Sequence, residues 1–180
     1  MDSPFGRDIA YRVLERCLVL TWSAFEVFVS DLFVLVVNTK PGFAGTLLKD
    51  ERTKALYNGK EIALLLERYG YDLSRNMGSV LIEQSRLDDL PTIKNIYKVI
   101  LGPGDVVDKL DDVGLWKLYK TRNVIVHRAG IVDEQFRRDT GSTIPVGERI
   151  TIKPVDLHQF MNLVGTVGVS IASAVENIIQ

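Results

Sequence analysis

Apolar residues recur at helical spacing along nearly the whole chain, a pattern that predicts an all-α protein. From residue 4 to 39 they run almost unbroken until Lys40-Pro41-Gly42, which predicts one long first helix opened by Ser3-Pro4. On this rod Ser23, Glu26 and Ser30 fall at spacings of three and four, so they form one narrow polar stripe that must face something polar. Shorter helices are predicted at 46–57 and 60–69, parted by Asn58-Gly59 and ended by Gly70. Two more follow at 74–86 and 91–101, the second closed by Gly102-Pro103-Gly104. A helix over 112–128 comes after the acids Asp105, Asp108, Asp111 and Asp112, with Asp111 or Asp112 as its cap and Gly130 as its stop. Residues 131–153 form the least regular stretch, where a short extended pair is expected around Glu148 to Lys153. From Pro154 onward a last long helix carries Leu157, Phe160, Val164, Val167, Ile171, Ala174 and Ile178 as a heptad-like seam suited to self-association. Its Gly165, Gly168, Ser170, Ala172 and Ser173 allow another helix to approach closely.

Composition narrows the setting. With 180 residues, 46% apolar and 25% charged, the chain is expected to form one domain over 1–180, a helical bundle with long first and last helices. A net charge of −1 means that any contact with nucleic acid rests on a local patch. Cys17 alone forms no intrachain disulfide, which fits a reducing cytoplasm. Asp8, Arg12, Glu15 and Arg16 interrupt the N-terminal segment, so no signal peptide is expected. Cys17 to Val37 is apolar enough to raise a membrane span, but it contains Glu26 and Asp31. Each acid at a bilayer centre costs about 2.5–3.5 kcal/mol, and the expectation is a buried helix with no membrane contact. Two histidines and one cysteine offer no metal-ligand spacing, so neither a metal nor another cofactor is expected. Asn58-Gly59-Lys60 and Gly102-Pro103-Gly104 lack the remaining residues of phosphate-binding loops.

Chemistry concentrates in Arg122-Asn123-Val124-Ile125-Val126-His127. An Arg presents a rigid fork of donors to a phosphate, and a His gives or takes a proton near neutral pH. RNA carries its own nucleophile, so cleavage needs only deprotonation of the 2′-hydroxyl, protonation of the leaving oxygen and stabilisation of the charged phosphorane. On an ideal helix Asn123 lies about 40° from His127, and Arg122 about 140° from it. Asn123 and His127 are therefore neighbours, while Arg122 projects from the apolar face among Leu115, Leu118, Tyr119, Ile125 and Val126. A guanidinium there is costly unless paired. Its structural alternative is an ion pair with Glu26 or Asp31 of the first helix, and that of His127 is a helix C-terminal histidine facing the last carbonyls. Trp116, Lys120, Asn123 and His127 share the adjoining flank. Nearby, Lys117, Lys120, Arg122, Arg128, Arg137 and Arg138 outnumber Asp133 and Glu134, which suits either a phosphate backbone or an ordinary solvated face.

The run Arg122-Asn123-x-x-x-His127, continued by Arg128-Ala129-Gly130-Ile131-Val132-Asp133, resembles the HEPN superfamily, whose signature is Arg, four to six residues, then His. Trp22-Ser23-Ala24-Phe25-Glu26 and the long terminal helix are similar in kind. The resemblance implies a helical bundle that dimerises so that two copies of the motif line one cleft. It implies metal-independent RNA cleavage leaving a 2′,3′-cyclic phosphate and a 5′-hydroxyl. Members of this kind act as toxins or in antiviral defence, often beside a nucleotidyltransferase-like antitoxin. On this chain Arg122 would bind and polarise the scissile phosphate, His127 would be general acid or base, and Asn123 would orient phosphate or imidazole. Lys117, Lys120 and Arg128 would hold the RNA, and Glu26 would steady Arg122. The alternative is a noncatalytic HEPN-like module that binds nucleotide, RNA or a protein partner. A third reading is a purely structural helical dimer.

Overall fold

The computed structural model describes residues 4–57 and 62–180, and over these the chain is all-helical with long first and last helices. In chain order the α-helices among the described residues are α1 (Pro4–Thr39), α2 (Gly42–Lys49), α3 (Ile62–Arg68), α4 (Met77–Gln84) and α5 (Leu90–Leu101). They continue with α6 (Asp105–Asp108), α7 (Val113–Arg128), α8 (Glu134–Thr140) and α9 (Pro154–Ile179). Short 3₁₀ turns occupy Lys54–Leu56 and Lys109–Asp111. The expected helix start at Ser3 and the break at Asn58-Gly59 lie outside the described residues. By length and composition, α9 and the Asp8–Thr39 part of α1 are both long and apolar enough to cross a membrane.

Local chemistry explains where the expected boundaries moved. The helix expected over 46–57 instead begins at Gly42 and stops at Asp50, which adopts an extended conformation. Asp50 Oδ1 accepts from the backbone N–H of Arg52 and from its Nε, each at 2.9 Å, a local bond that competes with the helical ladder. The stretch after Gly130 holds a helix that periodicity did not predict, α8. The carboxylate of Asp133 caps it by accepting from Phe136 N at 2.7 Å, and Gly141, with φ +64°, ends it in the left-handed region. The expected extended pair is reduced to one antiparallel bridge between Ile131 and Arg149. Val132 N donates to Glu148 O and Ile150 N to Gly130 O, both at 2.9 Å, so residues 147–150 pair with the segment leaving α7 and not with a neighbour of their own.

The chain forms two compact units. One comprises residues up to Phe25 together with Asp111–Thr166, the other Glu26–Leu110 together with Val167–Gln180.

In the first unit Leu18, Trp22, Phe25, Leu115, Leu118, Val132, Phe136, Ile150 and Ile152 are buried. Burying one such side chain fully is worth about 1.5–3 kcal/mol. The Trp22 ring lies 5.5 Å from that of Phe25 and 5.2 Å from that of Tyr119, both tilted as aromatic quadrupoles prefer. The same core contains an acid, Glu15, at 3% exposure. Arg149 satisfies it with two parallel bonds, Nε to Oε1 at 3.0 Å and Nη2 to Oε2 at 2.8 Å. Donating these hydrogen bonds to Glu15 raises the pKa of Arg149 above its ordinary value.

In the second unit Val29, Phe33, Val36, Val37, Leu47, Val80, Leu81, Ile93, Ile96, Tyr97, Val167, Ile171 and Val175 are buried. Tyr97 brings a hydroxyl into this core. Its hydroxyl donates to Val29 O at 2.6 Å, and burial pushes its pKa above the phenol range. Gly78 is required where α4 meets α1, since a Cβ there would stand 2.7 Å from Val34 O. Asn38 Oδ1 accepts from Gly78 N at 2.7 Å and fixes the approach. Val167 and Ile171 of the expected α9 seam thus serve the core of their own unit. The polar stripe of α1 is partly met by the helix itself, with Ser30 Oγ donating to Glu26 O at 2.7 Å. Glu26, Ser30 and Asp31 also line a pocket of about 310 Å³ with Ile82, Arg86 and Asp88.

Candidate functional site

Helix α7 carries the motif because its two ends are well defined. Asp112 caps it by accepting from Gly114 N at 2.7 Å and Leu115 N at 3.2 Å. At the other end Ala129 (φ +52°) and Gly130 (φ +80°) both take left-handed conformations, and Gly130 N donates to Val124 O at 3.0 Å. The chain reverses there at once, because Gly130 and Val132 are bonded to residues 148–150. A residue with a Cβ at 130 would be strained by its φ, although the Arg149 guanidinium, 3.5 Å away, would be at ordinary contact distance. This reversal lays α8 alongside the C-terminal half of α7.

The result is a pocket of about 200 Å³ lined by Lys120, Asn123, Val124, His127 and Arg128 from α7, and by Asp133, Gln135, Phe136 and Asp139. Four of the residues singled out from the sequence therefore share one concavity: Lys120, Asn123, His127 and Arg128. His127 is exposed in the last turn of α7, with Asn123 one turn before it, as the helical wheel requires. Arg122 is half-buried and does not line this pocket, but its Nη1 donates to Asn123 Oδ1 at 3.0 Å. Asn123 thus links the cation to the imidazole's flank. With its oxygen engaged, its amide is left as a donor.

The cations of the pocket have partners. Lys120 Nζ lies 2.8 Å from Asp139 Oδ2 and 4.4 Å from the centre of the Trp116 ring. Trp116 Nε1 in turn donates to Asp139 O at 2.9 Å, so one short segment of α8 receives both side chains. The Lys120 hydrogen bond, aided by Gln135, holds the Asp139 carboxyl below the usual carboxylate range. Arg128 Nε lies 3.0 Å from Asp133 Oδ2, the other oxygen of the residue that caps α8. Arg138 bonds Gln135 Oε1 at 2.9 Å. The basic surplus expected from the sequence is smaller in the fold than in the count, because Asp139, absent from that count, sits on Lys120. Nothing in the spacing announced that pairing, nor the one between Glu15 and Arg149.

Within the first unit, another of the expected site residues lies outside this pocket. Lys117 is on another side of α7 and lines a separate cavity of the first unit. Glu26 belongs to the second unit, in the pocket with Arg86 and Asp88. Among the described residues no group of three or more His, Cys, Asp or Glu side chains is placed to hold a metal ion.

No family model matches this chain, and neither a curated protein nor a solved structure does.

Proposed function

We propose that this chain is a metal-independent endoribonuclease of the HEPN type. The observation that carries the reading is the meeting of Asn123, His127, Lys120 and Arg128 in one pocket beside Arg122. A base removes the 2′-hydroxyl proton, the alkoxide attacks phosphorus, and an acid protonates the departing 5′-oxygen. The products are a 2′,3′-cyclic phosphate and a 5′-hydroxyl end. His127 performs one of these proton transfers. Arg122, steadied against Asn123, neutralises charge on the phosphorane, while Arg128 and Lys120 hold the flanking backbone. A single pocket offers one imidazole for two transfers, so the reading includes a homodimer in which a second copy completes the site. Ile9, Val13 and Leu20, exposed at 48%, 55% and 66% on α1, support an apolar contact with that copy. A cytoplasmic toxin or antiviral effector, restrained by a nucleotidyltransferase-like antitoxin, belongs to the same reading.

The test is incubation of the pure protein with RNA in EDTA beside His127→Ala. Cyclic-phosphate ends from the wild type alone support the proposal, and equal residual cleavage by both proteins refutes it. A monomer mass by light scattering at micromolar concentration refutes the composite site.

One observation favours the noncatalytic module as a second reading. Both flanking cations of the pocket already sit on carboxylates, Lys120 on Asp139 and Arg128 on Asp133, which lowers the attraction for phosphate. An RNA footprint over the pocket with no cleavage products would decide for it.

A further inference from the structure

A second cavity of the first unit, about 380 Å³, is more enclosed than the motif pocket and combines apolar walls with polar groups. Phe136, Phe160, Ile144, Ile150, Ile152 and Leu163 form its apolar walls. This volume and lining fall in the range of small-molecule sites. Three polar features distinguish it from a packing defect. Thr121 is 3% exposed, lines the cavity, and makes no side-chain hydrogen bond among the described residues. Its hydroxyl can donate to or accept from a ligand atom in the cavity. Lys117, one turn earlier on the same face of α7, brings a cation to the rim. Asp156, in the first turn of α9, brings a carboxylate, of which Oδ2 accepts from Lys153 N at 3.0 Å while Oδ1 has no such bond among the described residues.

We infer that this cavity binds a small zwitterion with an apolar body, the simplest case being an apolar α-amino acid. Lys117 takes the carboxylate, Asp156 the ammonium, and the phenylalanine and isoleucine walls take the side chain. A singly charged ligand leaves one of the two protein charges uncompensated beside apolar surface, and so binds less well. The inference stands apart from RNA cleavage, since it uses none of the motif pocket's polar groups.

The test is saturation-transfer NMR and calorimetry on the full chain, with L-phenylalanine, L-leucine, 3-phenylpropionate and phenethylamine as probes. Both amino acids are expected to bind, and the two single-charge probes to bind about tenfold more weakly, the loss of one charge-assisted contact. Thr121→Val keeps the β-branched shape and Asp156→Asn keeps the volume; each is expected to weaken L-phenylalanine about tenfold with an unchanged circular dichroism spectrum. Failure of both amino acids to bind at millimolar concentration overturns the inference. Equal affinity for L-phenylalanine, 3-phenylpropionate and phenethylamine overturns the zwitterion assignment, as does unaltered binding by both folded variants.

Discussion

The first unit uses the cation–carboxylate pair in two ways. Glu15 and Arg149 form a two-bonded pair in which the acid is almost wholly buried, and it ties the segment after α8 to α1. Lys120–Asp139 and Arg128–Asp133 line an open pocket, with the Arg128 side chain 59% exposed. The difference lies in what water can replace. In the first pair the Glu15 carboxylate is shut away from water and depends on Arg149, whereas each pocket pair can exchange its carboxylate for water or for a phosphate. The first is therefore a structural tie, and the second is suited to a site whose charges must be released on binding.

The contrast can be broken most directly at the motif itself. His127→Ala should lower RNA cleavage by about 10²–10⁴-fold, the usual contribution of a general acid or base, with little change in melting temperature. A large loss of stability instead would move His127 to the structural side of the comparison. Glu15→Ala should do the reverse. It should cost about 2–3 kcal/mol, less than a fully buried pair because Arg149 is 31% exposed. In a chain of this size that is a fall of about 4–12 °C in a thermal melt, and an unchanged melt would show that the pair ties nothing. Arg128→Gln sharpens the pocket side. The slope of log affinity for single-stranded RNA against log salt should become shallower by about 0.7, one phosphate contact, and an unaltered slope would remove Arg128 from the RNA path.

The smallest effect concerns Asp139. Because Lys120 holds its folded-state pKa below the usual value of 3.8, their pairing stabilises the fold above the ordinary carboxylate range. That contribution disappears as pH falls through the lowered value. Asp139→Asn should therefore cost only about 0.5 kcal/mol at neutral pH and nothing once the wild-type carboxyl is protonated. Denaturant titrations at the two pH values check it, and a penalty that persists in acid would show that the carboxylate charge is irrelevant. The same variant should bind RNA more tightly than wild type, since it frees Lys120.

Much of the helical order was legible in the sequence. Where apolar periodicity was long and its ends carried proline, glycine or a capping aspartate, as in α1, α5, α7 and α9, the expected and observed spans agree closely. Agreement failed where a short side-chain bond decided the matter. Asp50 halts α2 through Arg52, and Asp133 starts α8, a helix too short to show a period of its own. The site followed the same division. The wheel of α7 set Asn123 and His127 on one face, and these two line the pocket that Arg122 does not, because residues on one helix are related by fixed rotation.

What the sequence by itself determined is thus whatever lies within a helical turn or two: the all-α class, the ends of the long helices, and the face shared by Lys120, Asn123 and His127. What only the tertiary structure decided is which distant residues meet. The reversal at Gly130 brings Asp139 to Lys120, and the bridge from Ile131 to Arg149 accompanies the junction of Arg149 with Glu15, 134 residues away. Lys117 faces a different cavity for the same reason. A helix repeats every 3.6 residues whatever surrounds it, but the partner of a charge depends on where the chain returns, and that is settled by the packing of the whole core.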